Sequence, residues 1–204
     1  MSILRSTRVA ALIACAVAGT LAAQNPAGRA GGGGGGGRAR PIQIMTLSPS
    51  DWKDGGVLPD RHAQRGRDIS PALTWSAAPA GTTSFALIMH DIDAPTSTGA
   101  DDLLHWMVWN IPATATGLPE GVGKGPQLAD GSYQVSATGQ MYRGPGAPAT
   151  GPQHHYMFEV FALDMKLDVQ PSADAFDTRA NVMKAMQGHI LGKAVYGGLF
   201  RRPQ

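Results

Sequence analysis

Four residues able to bond or bind ions stand at the ends of apolar runs. Asp91 closes Thr83–Asp91, His105 immediately precedes Trp106–Ile111, and His154 and His155 immediately precede Tyr156–Leu163. If the three runs are neighbouring strands of one sheet, Asp91, His105 and His154 meet at one edge. Successive strand residues point to opposite faces, so only one of His154 and His155 can reach that point. Asp91 and Asp93 are two apart and share a face if the strand continues through Ile92.

Imidazole N–H groups, the Tyr156 hydroxyl and free backbone N–H groups of a Gly/Pro loop are all donors. Donors converging in a concave, partly apolar site bind an oxyanion. A carboxylate repels an anion, so Asp91 must serve otherwise. It can accept from a histidine and favour the imidazolium form, or receive the ammonium end of a zwitterion. Two other readings of the same residues stay open. Each histidine can be a hydrogen-bonded strand-end residue, or His105, His154 and Asp91 can ligate zinc. The residue types suit zinc, but no local ligand spacing such as H-x-x-x-H supports it.

Other chemistries find less support. Ser50-Asp51-Trp52-Lys53 fits S-x-x-K but lacks the S-D-N and K-T-G partners of penicillin-binding enzymes. There is no G-x-S-x-G, and the single cysteine, Cys15, lies in the apolar leader, so no activated nucleophile, disulfide framework or cysteine zinc site belongs to the body.

The elements that must position these residues read mainly as β. Runs at 84–90, 106–111 and 156–163 are apolar on both alternating faces apart from Glu159, the pattern of buried central strands. Trp106, Trp109, Met89, Met107 and Met157 are expected in the core. Pro/Gly-rich loops such as Gly144–Pro152 lie between the runs. One C-terminal helix is expected, capped by Thr178, with Val182, Met183, Met186 and Ile190 at helical spacing and Gly188 as a break.

The chain of 204 residues divides by composition. Residues 1–23 carry Arg5 and Arg8, then an apolar stretch and Ala22-Ala23, the pattern of a cleaved secretory signal. Leu12-Ile13-Ala14-Cys15 resembles a lipobox that would acylate Cys15, but the apolar run before it is short and continues past it. Residues 24–40 contain Gly31–Gly37 and read as a flexible, disordered linker. Residues 41–204 form one domain, long enough to bury its own core. The formal charge of +2 misleads: five basic residues precede residue 41 and all 15 acidic ones follow it, leaving the body at −3. That excludes the electrostatic footprint of a nucleic-acid binder.

Several motifs, in order, then resemble the phosphatidylethanolamine-binding proteins. His90-Asp91-Ile92-Asp93-Ala94-Pro95 resembles their D-P-D-A-P signature, and His105-Trp106-Met107-Val108-Trp109-Asn110-Ile111-Pro112 their H-W-x-x-x-N-I-P. Tyr142-Arg143-Gly144-Pro145, Pro148 and Gly151-Pro152-Gln153-His154-His155-Tyr156-Met157-Phe158 resemble Y-x-G-P, prolines, then G-x-H-R-Y-x-F. Asp54-Gly55-Gly56, Ser70–Trp75 and Gly188–Ala194 fit further segments, the last as the helix before the closing segment, and the likeness covers 42–202. The branch it most resembles is the bacterial Raf-kinase-inhibitor-like proteins. The resemblance implies an antiparallel β-sandwich of a large central and a smaller sheet, with C-terminal helical elements. It also implies a pocket for phosphate, phosphoethanolamine or carboxylate groups, formed by Asp91, His105, His154, Tyr156 and a loop glycine, Gly146, whose N–H faces the anion. Three positions depart from the family: Ile92 replaces Pro, His155 replaces Arg and so removes a bidentate ion-pair partner, and Phe200 replaces a frequent Tyr.

The function expected is that of an exported, periplasmic or secreted, non-enzymatic protein that binds a small anionic or zwitterionic ligand without a cofactor. Membrane association would come only through headgroup binding or acylation of Cys15. The rival functions are an inhibitor of an exported protease and a hydrolase using Asp91, His105 and His154.

Overall fold

The computed structural model describes residues 41–76, 78–96 and 101–204. The signal, the Gly-rich linker and Cys15 lie outside the described residues. In chain order the elements are β1 (Gln43–Ile44), β2 (Leu47–Pro49), β3 (Gly56–Val57), a 3-10 turn (Asp60–His62), β4 (Leu73–Trp75), β5 (Ser84–Pro95), β6 (Asp102–Pro112), β7 (Gly117–Leu118), β8 (Tyr133–Val135), β9 (His154–Leu163), α1 (Ala175–Met186) and β10 (Ile190–Phe200). The three expected runs are β5, β6 and β9. They sit at the heart of one large sheet ordered β1-β10-β9-β5-β6-β8, with β3 also paired to β10. A smaller sheet, β2-β4-β7, packs separately as an antiparallel unit.

Both faces of β5 and β9 are apolar because both are covered. Phe85, Leu87, Met89, Phe158 and Val160 pack in one core with Leu47, Leu73, Trp75 and Leu118 of the smaller sheet. Ala86, Ile88, Phe161 and Leu163, one residue out of phase, pack in a second core with Val182 and Met186 of α1. Complete burial of each large side chain contributes about 1.5–3 kcal/mol. Trp106, Trp109, Met89 and Met107 are fully buried, whereas Met157 is only partly so.

Three expectations are corrected. The large sheet is mixed rather than antiparallel, because β1 and β3 pair parallel to β10. The helix is capped by Asp174, whose side chain accepts from the N–H groups of Phe176 and Asp177, while Thr178 lies inside the first turn and its hydroxyl donates to the Asp174 carbonyl. Ile190 and the residues after it form strand β10 rather than helix. Gly188, at φ 83°, ends the helical segment and turns the chain into that strand.

Strand β6 carries two irregularities. Met89 pairs with Trp106 and His90 with Leu104, so His105 is the extra residue of a β-bulge. Phe85 pairs with Ile111 and Ala86 with Trp109, which leaves Asn110 as a second bulge at φ 60°. The Asn110 amide accepts from Leu167 N–H at 2.7 Å and donates to the Leu167 carbonyl at 2.9 Å, fixing that corner.

Candidate functional site

Asp91 and Tyr156 are direct cross-strand partners on β5 and β9, and they face the core shared with the smaller sheet. His154 lies two residues before Tyr156 and so falls on the same face. The bulge swings His105 to this face as well, where its ring meets Tyr156 edge-on at 5.1 Å and 87°. A cleft of about 430 Å³ opens here, lined by Asp91, His105, His154, Tyr156 and Gly146. All five residues expected from the sequence therefore converge.

Their bonding differs in part from expectation. His154 Nδ1–H donates to both oxygens of Asp91, at 2.9 and 3.1 Å. Asp91 is buried, and its carboxylate also accepts from Asp93 N–H at 3.1 Å. Asp91 thus orients His154, as anticipated. His155 points away and is exposed. Its own partner is Asp93, whose carboxylate accepts from the His155 backbone N–H at 2.6 Å and from Nδ1–H at 2.8 Å. A histidine here keeps a two-point contact with Asp93.

Gly146 N–H does not face an open anion site. It donates to the Tyr156 hydroxyl at 3.2 Å, beside Ala147 N–H at 3.1 Å. Burial pushes the Tyr156 phenol far up, beyond the opposing effect of Gly146 N–H, and the neighbouring Asp91 carboxylate adds to the rise. The hydroxyl stays protonated and organises the loop. Of the departures, Ile92 lies within β5 and is exposed, and Phe200 is buried in the core.

The loop from Arg143 to Pro148 forms the rim and is tied at almost every residue. Arg143 N–H donates to the His105 carbonyl, Gly144 N–H to Asp68, Gln64 N–H to the Pro145 carbonyl, and Arg202 N–H and Nε–H to the Ala147 carbonyl. Glycine is required at 144 because a Cβ there would stand 1.9 Å from the His62 carbonyl oxygen.

Three arginines also line the cleft: Arg65, Arg143 and Arg202. Sequence reasoning did not place them there. They come from segments far apart in the chain, and only the topology assembles them. Arg143 sits within Tyr142-Arg143-Gly144-Pro145, and that motif was the one available signal. The three cations outweigh Asp91 and make the cleft attractive to anions. Among the described residues, no group of three or more His, Cys, Asp or Glu is placed to hold a metal ion, and no helix is long and apolar enough to cross a membrane.

A two-sheet β fold with a polar cleft lined from β5, β6 and β9 defines a class of small-ligand-binding protein. The model of the phosphatidylethanolamine-binding protein family matches residues 48–201, and the chain belongs to that family. It is 41% identical over 160 residues to the UPF0098 protein of Methanothermobacter thermautotrophicus, covering 78% of this chain and 99% of that one. It is 39% identical over 146 residues to the UPF0098 protein YbhB of Escherichia coli, covering 68% and 90%. The crystal structure of E. coli YbcL, a member of the mammalian PEBP family, superposes with a TM-score of 0.66 at 29% identity, covering 78% of this chain and 98% of YbcL.

Proposed function

We propose that this protein is an exported, non-enzymatic binder of small phosphate- or carboxylate-bearing ligands, with the ligand held in the cleft at Asp91, His105, His154 and Tyr156. The observation that carries this is the pairing of His154 with a buried Asp91 in a cleft lined by three arginines. Asp91 occupies His154 Nδ1 and leaves Nε2 to a ligand. The arginines supply charge, and the tied loop keeps the donors in place before the ligand arrives, which lowers the ordering cost of binding. The imidazoles, arginines and backbone-ordered loop are groups suited to holding an anion. Export is supported by the composition of residues 1–23.

Isothermal titration with inorganic phosphate and phosphoethanolamine tests the proposal. A hydrogen bond to a charged group contributes roughly 1.5–3 kcal/mol, so His154→Ala is expected to weaken binding about tenfold or more. His155→Ala, on the opposite face, should change affinity by less than about threefold. Equal losses in the two variants, or no binding to the wild type, would refute it.

A further inference from the structure

His62 ends the 3-10 turn and is fully buried. Both of its ring nitrogens face oxygen. Nδ1 lies 2.7 Å from the Ile69 carbonyl oxygen, and Nε2 lies 2.9 Å from Asp51 Oδ2. A carbonyl and a carboxylate oxygen only accept, whereas a neutral imidazole has one donor and one acceptor. Arg61 Nη2–H donates to the same Asp51 oxygen at 2.8 Å, so that oxygen serves two donors. Each ring nitrogen therefore needs a hydrogen, and the geometry is that of an imidazolium. A neutral ring would set a bare lone pair against the carbonyl or against the carboxylate, in a site closed to bulk water.

The ring is also tied to the wall of the cleft. His62 is followed within three residues by Gln64 and Arg65, both of which line the cleft. Gln64 reaches the rim loop twice, N–H to the Pro145 carbonyl at 3.0 Å and Nε2–H to the Gly144 carbonyl at 2.8 Å. The His62 carbonyl accepts from the Tyr142 hydroxyl at 3.0 Å, and Asp68 accepts from Gly144 N–H at 2.7 Å. The imidazolium closes segment 62–69 on itself through Ile69 and pins it to Asp51. The charged and titratable groups around it are Asp51, Arg61 with Glu120 bonded beyond it, Asp68 and Tyr142, and the Trp52 ring packs at 6.0 Å.

Resting on the anion-binding function proposed for the cleft, we propose that His62 is a proton-operated latch on it. The doubly protonated ring holds segment 62–69, and with it Gln64 and Arg65, against the rim. Loss of one proton gives up one of the two ring bonds, loosens the segment and weakens anion binding. His62 does not itself line the cleft, so proton and anion occupy separate sites that are coupled through the segment.

Heteronuclear NMR of the ligand-free full chain reads the ring directly. Both His62 nitrogens are expected to carry hydrogen on the acid side of one transition. On its alkaline side, amides 62–69 should lose exchange protection, after correction for intrinsic rates. Calorimetry with sulfate, whose charge is constant across that transition, reads the coupling. Wild type is expected to bind about tenfold more tightly than His62→Gln on the acid side, the size of one charge-assisted contact, and within about threefold of it on the alkaline side. His154 is present in both proteins, so its own contribution cancels from the ratio. Asp51→Asn can donate to a bare Nε2 and should keep segment 62–69 protected on both sides of the transition. If His62→Gln does not fold, that variant and the wild-type NMR decide. A ring singly protonated at every pH, a ring doubly protonated until the chain unfolds, or a sulfate ratio constant across the transition would overturn the latch and leave the anion cleft standing. Absence of binding by both sulfate and phosphate would overturn the anion-binding function and the coupling with it, and the ring and exchange results separate that failure from a failure of the latch itself.

Discussion

His105 and Arg143 exchange two hydrogen bonds. Arg143 N–H donates to the His105 carbonyl at 3.1 Å, and His105 Nδ1–H donates back to the Arg143 carbonyl at 3.0 Å. One residue is a strand bulge and the other begins the rim loop, so the bulge and the loop are held as one unit. The imidazole tautomer is set by the backbone before any ligand arrives.

The histidine also makes stability depend on pH. Its folded pKa is lowered, chiefly by burial, below the value near 6.5 of an unfolded chain. Between those two values the unfolded chain binds more protons, so stability falls as the pH falls. The contribution is complete above about pH 6.5 and is lost as the pH drops through the folded pKa. Urea unfolding from pH 8 to pH 5 should give a curve that is flatter for His105→Asn than for wild type. A steeper curve for the variant would contradict the assignment.

Two rim glycines should respond differently to alanine. At Gly144 the added Cβ meets a backbone carbonyl oxygen at 1.9 Å, and the fold must shift. A loss of about 1–3 kcal/mol in stability is expected there. At Gly146 the Cβ meets the end of the Gln64 side chain at 2.4 Å, which can swing away and give up its bond to the Gly144 carbonyl. Gly146→Ala should cost only about 1 kcal/mol in stability and show its larger effect on phosphate affinity, because the methyl group sits at the cleft. Denaturation and calorimetry on both variants check the contrast.

Tyr156→Phe removes the shared acceptor of Gly146 and Ala147 N–H and leaves two donors unpaired. The expected cost is about 1–3 kcal/mol, seen as a lower urea midpoint at unchanged slope. An unchanged midpoint would mean that the loop finds other acceptors.

Export is open to a direct assay. Residues 1–30 fused to a reporter active only outside the cytoplasm should give activity. Cys15→Ser should leave processing intact, and accumulation of precursor in that variant would assign acylation instead.

The three central strands were legible because burial on two sides leaves an uninterrupted apolar run. β10 was not, although it is as long as β6. Its glycines break the pattern, and two of them are there because other segments cross it closely. A Cβ at Gly192 would meet Met45 and Pro79 at 2.8 Å, and one at Gly198 would meet Leu58 at 2.6 Å. Residues that make the strand possible thus hide it. The pocket histidines were found from their place beside apolar runs, but β6 begins three residues before His105, and the bulge that turns it inward depends on pairing with β5. The engagement of Gly146 N–H by Tyr156 and the arrival of Arg65 and Arg202 likewise depend on contacts remote in sequence.

The place of β10 has a consequence for how the chain is made. β10 lies between β9 on one side and β1 and β3, strands well over a hundred residues earlier in the sequence, on the other. During synthesis β1 and β3 cannot join the large sheet until β10 has been made, and closing so long a loop is entropically slow. The large sheet is therefore completed late, and deletion of residues 190–204 would leave β9 with an unpaired edge open to aggregation.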